Sequence, residues 1–237
     1  MLNPKKTKDM RILKTMVLVT ALVVSSSAMA QFKSNSAAQV SSSSSSSDGW
    51  STFYVEYNPI NYDIDISGAD DESMTGFSIG YSKAFAVSPG APVYIEAGLA
   101  GQYSFKSDFL DVDDVDFNMI SAKVPVNLAY KFDLSNSSVS IIPFIGAYAR
   151  YNISGKVKYT GSSKDKEWDL FDKKDMEDLG LTIDGKAFNR LQLGWQIGAK
   201  ARISDSFLLS LSYGTDFSEI SKKIKVSTTA ITLGYCF

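Results

Sequence analysis

Histidine is absent from the 237 residues of the sequence, and cysteine occurs once, as Cys236. The first absence excludes Ser-His-Asp and Cys-His nucleophile systems and every histidine-ligated metal site. The second excludes an internal disulfide, a CxxC redox pair and a cysteine-ligated zinc site. Lysine and arginine number 24 against 26 acidic residues, so the basic excess that nucleic-acid binding uses is missing as well. We therefore expect no nucleic-acid partner, and no enzyme, cofactor or metal site that depends on histidine or on paired cysteines.

The N-terminal segment has the order of a processing signal. Basic residues precede the mostly apolar run from Met16 to Val24, and Ala28-Met29-Ala30 follows it. This order predicts a secretory signal peptide at residues 1–30 that is cleaved after Ala30. A membrane anchor would need about 20 apolar residues, and this run is too short. Residues 31–49 include the serine run 41–47 and little that is large and apolar, which predicts a flexible linker.

From Trp50 onward, apolar residues alternate with small or polar ones, which is the period of a β-strand. Eight segments show this period: Trp50 to Asn58, Ser73 to Phe85, Val93 to Phe105, Phe117 to Phe132, Val139 to Gly155, Phe188 to Ser204, Ser206 to Phe217 and Val226 to Phe237. Short turns at 88–92, 133–138 and near Asp205 alternate with longer polar stretches at 59–72, 106–116, 156–186 and 218–225. The pattern predicts an all-β fold, an eight-stranded antiparallel up-and-down transmembrane β-barrel over residues 50–237.

Charged residues are missing from one face of five of the predicted strands, and they lie on the opposite face. The uncharged face comprises alternate positions from Val93 to Phe105, Ile120 to Phe132, Val139 to Ile153, Leu191 to Ile203 and Phe207 to Phe217. The opposite face contains Glu56, Glu96, Lys123, Lys131, Arg150, Arg190, Lys200, Arg202 and Asp216. In a membrane barrel the apolar face is outside and side chains fill the narrow interior. Buried charges need partners, so we predict pairs of Glu96 with Lys131 and of Arg190 with Asp216. Water or loop acids would balance the remaining bases.

Three stretches resemble the small porin-like outer-membrane β-barrel domains of Gram-negative bacteria, similar in size to OmpA/OmpX-type barrels. They are KVPVNLAYKF at 123–132, IPFIGAY at 142–148 and TTAITLGYCF at 228–237. The last ends in Phe237 and is similar to the signal by which such barrels are handed to their assembly machinery. The resemblance implies a location in the cell outer membrane, with membrane lipids and that machinery as partners. Because the sequence ends at Phe237, we expect no peptidoglycan-binding domain of the kind that some barrel proteins carry. The resemblance implies location and architecture more firmly than activity.

Two of the long polar stretches are rich in acids. The first contains Asp63, Asp65, Asp70, Asp71 and Glu72, and the second contains Asp111, Asp113, Asp114 and Asp116. Calcium prefers such oxygen ligands, but the spacing lacks the Gly and the bidentate Glu of an EF-hand loop. We interpret both clusters as solvated loops.

The stretch 156–186 contains Trp168, Phe171, Met176 and Leu179 among charges, with Gly180 as the expected helix stop. It predicts a short helix that lies on the membrane surface or caps the barrel. A small hydrophobic loop core is favoured over a contact site for an extracellular partner, although surface loops on a rigid scaffold often carry function.

Three functions stay open at this point. The favoured one is a non-enzymatic integral outer-membrane protein with an envelope-structural or surface-interaction role. The second is a small passive pore in which Lys123, Arg150 and Arg190 line an anion path. The third is a soluble periplasmic barrel that binds an apolar ligand in its interior, as lipocalins do.

Overall fold

The computed structural model describes residues 49–64, 72–107, 114–135, 137–160, 165–178, 188–220 and 224–237. The predicted signal peptide and the linker up to residue 48 lie outside these ranges and stay predictions. The described elements are β1 (Trp50–Tyr57), β2 (Ile60–Ile64), β3 (Glu72–Ala86), β4 (Val93–Lys106), β5 (Val115–Tyr130), β6 (Phe132–Asp133), β7 (Val139–Tyr159), β8 (Lys166–Asp169), α1 (Lys173–Asp178), β9 (Leu191–Ile203), β10 (Phe207–Asp216) and β11 (Ile224–Cys236). In the described part of the chain, no helix is long and apolar enough to cross a membrane.

Eight long strands form a closed antiparallel ring. Each strand in the order β1, β3, β4, β5, β7, β9, β10 and β11 pairs with the next, and β11 pairs with β1. The segment β2 continues β1 after Pro59 and lies between the same two neighbours, β11 and β3. The short strands β6 and β8 pair with β7 near its two ends. The prediction of an eight-stranded up-and-down barrel is confirmed.

The predicted segments correspond to these eight strands, and the main differences lie at the end of the barrel that holds the longer connections, here called the loop end. There β7 continues to Tyr159, and the stretches read as loops contain β2, β8 and α1. A register shift places Ile120 opposite Ser154 but Ser121 opposite Asn152. Ile153 is the extra residue of this β-bulge, and beyond it the other set of side chains faces inward. Because the bulge reverses the alternation, a strict period of two does not predict the buried Val157.

The apolar face points outward. Ile79 is 68% exposed, Leu128 53% and Leu233 58%, while residues at the intervening positions, such as Ser78, Asn127 and Thr232, are buried. The soluble ligand-binding alternative requires the apolar face to line the interior, so that interpretation is wrong. An apolar exterior around a polar interior is the arrangement of a barrel that spans a membrane.

The interior contains an apolar cluster at each end. The outer cap, at the loop end, consists of Ile60, Tyr62, Met74, Phe117, Met119, Val157, Leu170, Met176, Ile220 and Val226. The floor, at the opposite or turn end, consists of Trp50, Ala84, Tyr94, Ala129, Ile142, Phe144, Leu208 and Cys236. Most of the charged interior residues predicted from the sequence lie between these two clusters.

Candidate functional site

Arg150 and Asp216 form a buried ion pair in the interior, with 2.6 Å between Nη2 and Oδ2. Arg150 also donates from Nε and Nη2 to Oε1 of Gln192, at 3.0 and 2.7 Å. The hydroxyl of Tyr148 donates to the other carboxylate oxygen of Asp216 at 2.6 Å. Both charges are therefore paired and hydrogen-bonded, which offsets the cost of their burial. The predicted pairing of Asp216 with Arg190 is wrong.

The second buried pair joins Lys200 of β9 to Glu96 of β4. The hydroxyl of Ser82 donates to Oε1 of Glu96 at 2.7 Å. The predicted Glu96–Lys131 pair is wrong, because Lys131 pairs with Asp133 at 2.9 Å. The prediction considered neighbouring strands, but β4 and β9 are not neighbours in the ring. In a barrel this narrow, long side chains meet across the interior.

Other bases on the inner face obtain their partners from turns and from the loop end. The Arg202 guanidinium is 3.0 Å from the carboxylate of Asp205, which lies in the turn between β9 and β10. The Arg190 guanidinium is 3.9 Å from Asp169 and lies 4.3 Å from the centroid of the Phe171 ring. As expected, acids outside the eight barrel strands thus neutralise part of the excess of basic residues on the inner face.

Lys123 lies beside a small polar cavity. Its ammonium is 4.5 Å from the centroid of the Tyr148 ring, a cation–π distance. The cavity offers about 50 Å³ to the centres of water molecules, which is room for several waters. Of the three bases in the predicted anion path, Lys123 lines this cavity, whereas Arg150 is paired with Asp216 and Arg190 with Asp169. The cavity lining includes Glu56, Glu96, Asn127, Gln196 and Lys200.

Two glycines on the inner face make room for tyrosine rings. A Cβ atom added at Gly194 would lie 2.4 Å from the ring of Tyr148, and one added at Gly80 would lie 2.4 Å from the ring of Tyr54. Non-bonded carbon atoms normally stay about 3.5 to 4.0 Å apart. Any side chain larger than that of glycine at either position would therefore overlap with the tyrosine ring beside it.

The outer cap contains the short helix that the sequence predicts in the stretch 156–186. Met176 of α1 and Leu170 are 0% and 1% exposed, and Trp168 packs against the same cluster. The carboxylate of Asp175 accepts a hydrogen bond from the backbone N–H of Asp169 at 2.8 Å, which ties α1 to β8. The prediction of a small hydrophobic loop core over the barrel is confirmed. The positions of Leu179 and Gly180 lie outside the described residues.

Among the described acids of the two acidic clusters, one is buried and paired, and the others are exposed. Glu72 is buried and pairs with Lys106, whereas Asp63, Asp114 and Asp116 are exposed. In the ranges that the structure describes, no group of three His, Cys, Asp or Glu side chains could hold a metal ion. The remaining acids of both clusters, Asp65, Asp70, Asp71, Asp111 and Asp113, lie outside those ranges.

Several solved structures are similar to this chain at low sequence identity. The chain is similar to the attachment invasion locus protein Ail of Yersinia pestis, at 17% identity over 80% of this chain and 99% of that one, with a TM-score of 0.47. It is similar to the outer membrane enzyme PagL, at 8% identity over 76% and 97%, with a TM-score of 0.41. It is also similar to Neisserial surface protein A, at 15% identity over 78% and 97%, with a TM-score of 0.40. A comparison with curated proteins finds no match.

A family profile matches nearly the whole chain. The family is described as "Outer membrane protein beta-barrel domain", and the match covers residues 16–237. It agrees with the closed ring of eight strands and the apolar exterior. The chain therefore belongs to the outer membrane protein beta-barrel domain family, and its place is the outer membrane of a Gram-negative cell.

Proposed function

We propose that this protein is a closed, non-enzymatic scaffold in the outer membrane that presents an ordered surface at its loop end to an extracellular partner. The outer cap is the observation that supports this proposal most directly. Met176 and Leu170 come from the connection between β7 and β9, and they pack against Phe117 and Val157 of the barrel strands. Residues 165–178 of this connection are thus folded into the end of the barrel.

The filled interior argues against the alternative of a passive pore. An ion that entered at the loop end would first meet the apolar outer cap and then the Arg150–Asp216 pair. Beyond these lie the Glu96–Lys200 pair and the apolar floor. Apolar constrictions oppose the passage of hydrated ions. The polar cavity is the observation that favours a pore, but it is small and lies between the two clusters.

The proposal of a non-enzymatic role rests on the side chains available for chemistry. The chain has no histidine. Two buried carboxylates of the interior, Glu96 and Asp216, are each paired with a base, and the Tyr148 hydroxyl is bound to one of them. A general base must be free to reach the proton that it removes from a substrate. These groups are already bound to other side chains of the interior.

The folded segment 165–178, which a partner would contact, is acidic. Residues 165–178 contain seven acidic and three basic residues, a net charge of −4. Glu167, Lys173 and Glu177 are exposed there. Because complementary charge steers association, the proposal assigns a basic surface to the partner. We call residues 165–178 the acidic ledge.

Planar-bilayer recording with purified protein tests the closed barrel. We expect no steady conductance, because the interior is filled. Steady single-channel current from protein that is folded by gel mobility would refute the closed-scaffold proposal and favour the pore.

Binding to immobilised poly-lysine tests the role of the acidic ledge. The double variant Glu177→Gln, Asp178→Asn should weaken binding at low salt, whereas Lys173→Gln, which removes a base from the same helix, should not. Equal binding by the wild type and the double variant would contradict the assignment of the ledge as the interaction surface.

Recognition by the barrel assembly machinery stays a proposal based on the C-terminal residue. Phe237 is 62% exposed and contacts the ring of Phe53 at 5.7 Å between centroids. If this side chain is part of the signal, Phe237→Ala should reduce the amount of folded barrel in the outer membrane while leaving folding in detergent intact. Unchanged amounts in cells would contradict this role.

A further inference from the structure

Lys83 is an exception on the outer surface of the barrel. Its register on β3, between Tyr81 and Phe85, places it on the outward face, opposite Ser51 of β1 and Ala97 of β4. In the described strands, the other charged residues in outward register lie at the loop end: Asp63, Asp116, Lys156, Lys158, Glu167, Asp169 and Lys225. Lys83 is therefore an isolated cation on an otherwise apolar surface near the turn end.

The Lys83 side chain points towards the edge of the membrane. Its ammonium lies 5.4 Å from the centroid of the Phe85 ring, and β3 runs towards the turn end, so Phe85 is nearer to that edge. Ser51, directly opposite, exchanges backbone hydrogen bonds of 2.9 Å with the C-terminal residue Phe237. Lysines near a membrane boundary bury their methylene stems and keep the ammonium in the headgroup layer. The geometry of Lys83 matches this behaviour.

Polar and aromatic groups lie next to Lys83 on β1 and β3. The hydroxyl of Tyr81 donates to the hydroxyl oxygen of Ser51 at 3.0 Å. The Tyr81 ring lies 5.2 Å from Phe53 and 6.5 Å from Phe237 between centroids. Aromatic residues of this kind form the belts that sit at the headgroup level of a membrane.

No carboxylate within the described residues lies within 4.0 Å of the Lys83 ammonium, whereas nine other bases form such pairs. On a surface that faces lipid, the remaining source of an anion is the headgroup layer. Since the turn end of such barrels faces the periplasm, this layer belongs to the periplasmic leaflet.

We propose that Lys83, with the Tyr81–Ser51 hydroxyl pair beside it, binds the phosphate of an anionic phospholipid in the periplasmic leaflet. The bound lipid would fix the depth of the turn end in the membrane at one side of the barrel, where β1 and β3 meet. The proposal depends on the location in the outer membrane and is independent of the function assigned to the loop end.

Native mass spectrometry of the detergent-solubilised protein, titrated with phosphatidylglycerol or phosphatidylcholine, tests this site. A lysine near a lipid surface contributes about 1 kcal/mol, so Lys83→Gln should weaken the first phosphatidylglycerol binding event about fivefold. Lys83→Arg should keep the affinity within about twofold because the charge remains. Lys225→Gln, which removes an exposed lysine at the loop end, is the matched control and should bind phosphatidylglycerol like the wild type.

Three results would overturn the proposal. The first is unchanged phosphatidylglycerol binding by Lys83→Gln; the second is an equal loss in Lys225→Gln, which would show a general effect of net charge. An equal loss for phosphatidylcholine would also contradict the selection of an anionic lipid. Gel mobility in cold SDS shows that each variant is folded before it is titrated.

Discussion

Removing one charge of the buried Arg150–Asp216 pair should destabilise the barrel strongly. The side chains are 5% and 0% exposed, so water cannot screen the charge that remains. The substitution Asp216→Asn preserves the shape of the side chain but leaves the guanidinium of Arg150 without its counter-ion. Loss of one partner of a buried ion pair costs about 3–5 kcal/mol. We expect the free energy of unfolding to fall by about this amount.

Urea unfolding in lipid vesicles, followed by tryptophan fluorescence and by gel mobility, measures this change. Glu167→Gln is the matched control, because its partner Lys156 and Glu167 itself are 43% and 52% exposed. We expect no measurable change in that variant, since exposed pairs contribute little. The double variant Arg150→Leu, Asp216→Leu should recover most of the loss, because it leaves no unpaired charge. If Asp216→Asn unfolds at the same urea concentration as Glu167→Gln, the argument from burial is refuted.

Three further predictions concern the interior packing, the outer cap and the turn end. Gly194→Ala should cost about 1–3 kcal/mol of unfolding free energy because its Cβ overlaps a tyrosine ring, whereas Gly101→Ala, with nothing within 4 Å, should be neutral in the same urea titration. Met176→Asp should open the outer cap without unfolding the barrel, which limited proteolysis would detect as faster cleavage between β7 and β9; an unchanged cleavage rate would contradict the packing of α1. A hydrogen bond from Ser140 and the Lys131 ammonium lower the pKa of Asp133, the last residue of the two-residue strand β6 at the turn end, outside the membrane-spanning segments. This contribution to stability is present above the unfolded pKa of about 3.9 and is lost as the pH falls through the folded value; Ser140→Ala should therefore raise the pKa of Asp133 in an NMR titration.

The strands could be predicted because membrane and interior impose opposite chemistry on alternate residues. Ile79 and Leu128 are exposed to lipid, while their sequence neighbours face the filled interior. Apart from the bulge in β7, this alternation persists along the strands, so the number of strands and the sides of the barrel follow from the sequence.

The partners of the interior charges could not be predicted in the same way. Glu96 meets Lys200 across the interior, and this distance depends on strand tilt and barrel diameter rather than on spacing along the chain. The bulge at Ile153 could not be predicted from the sequence either, because the lysines that follow it, Lys156 and Lys158, resemble a solvated loop. An apolar residue between two lysines, Val157, is the signal that could have indicated a strand there.

Site-directed spin labelling along β10 tests the central claim, an apolar exterior in lipid around a filled interior. Cys236 is the one cysteine of the sequence, so a Cys236→Ser background leaves a single labelling site in each variant. Labels at Leu209 and Leu211 should be accessible to oxygen dissolved in the bilayer and shielded from a water-soluble nickel complex. Labels at Ser210 and Ser212 should be shielded from oxygen. Accessibility of the leucine positions to the nickel complex, or the absence of alternation along the strand, would contradict the transmembrane barrel.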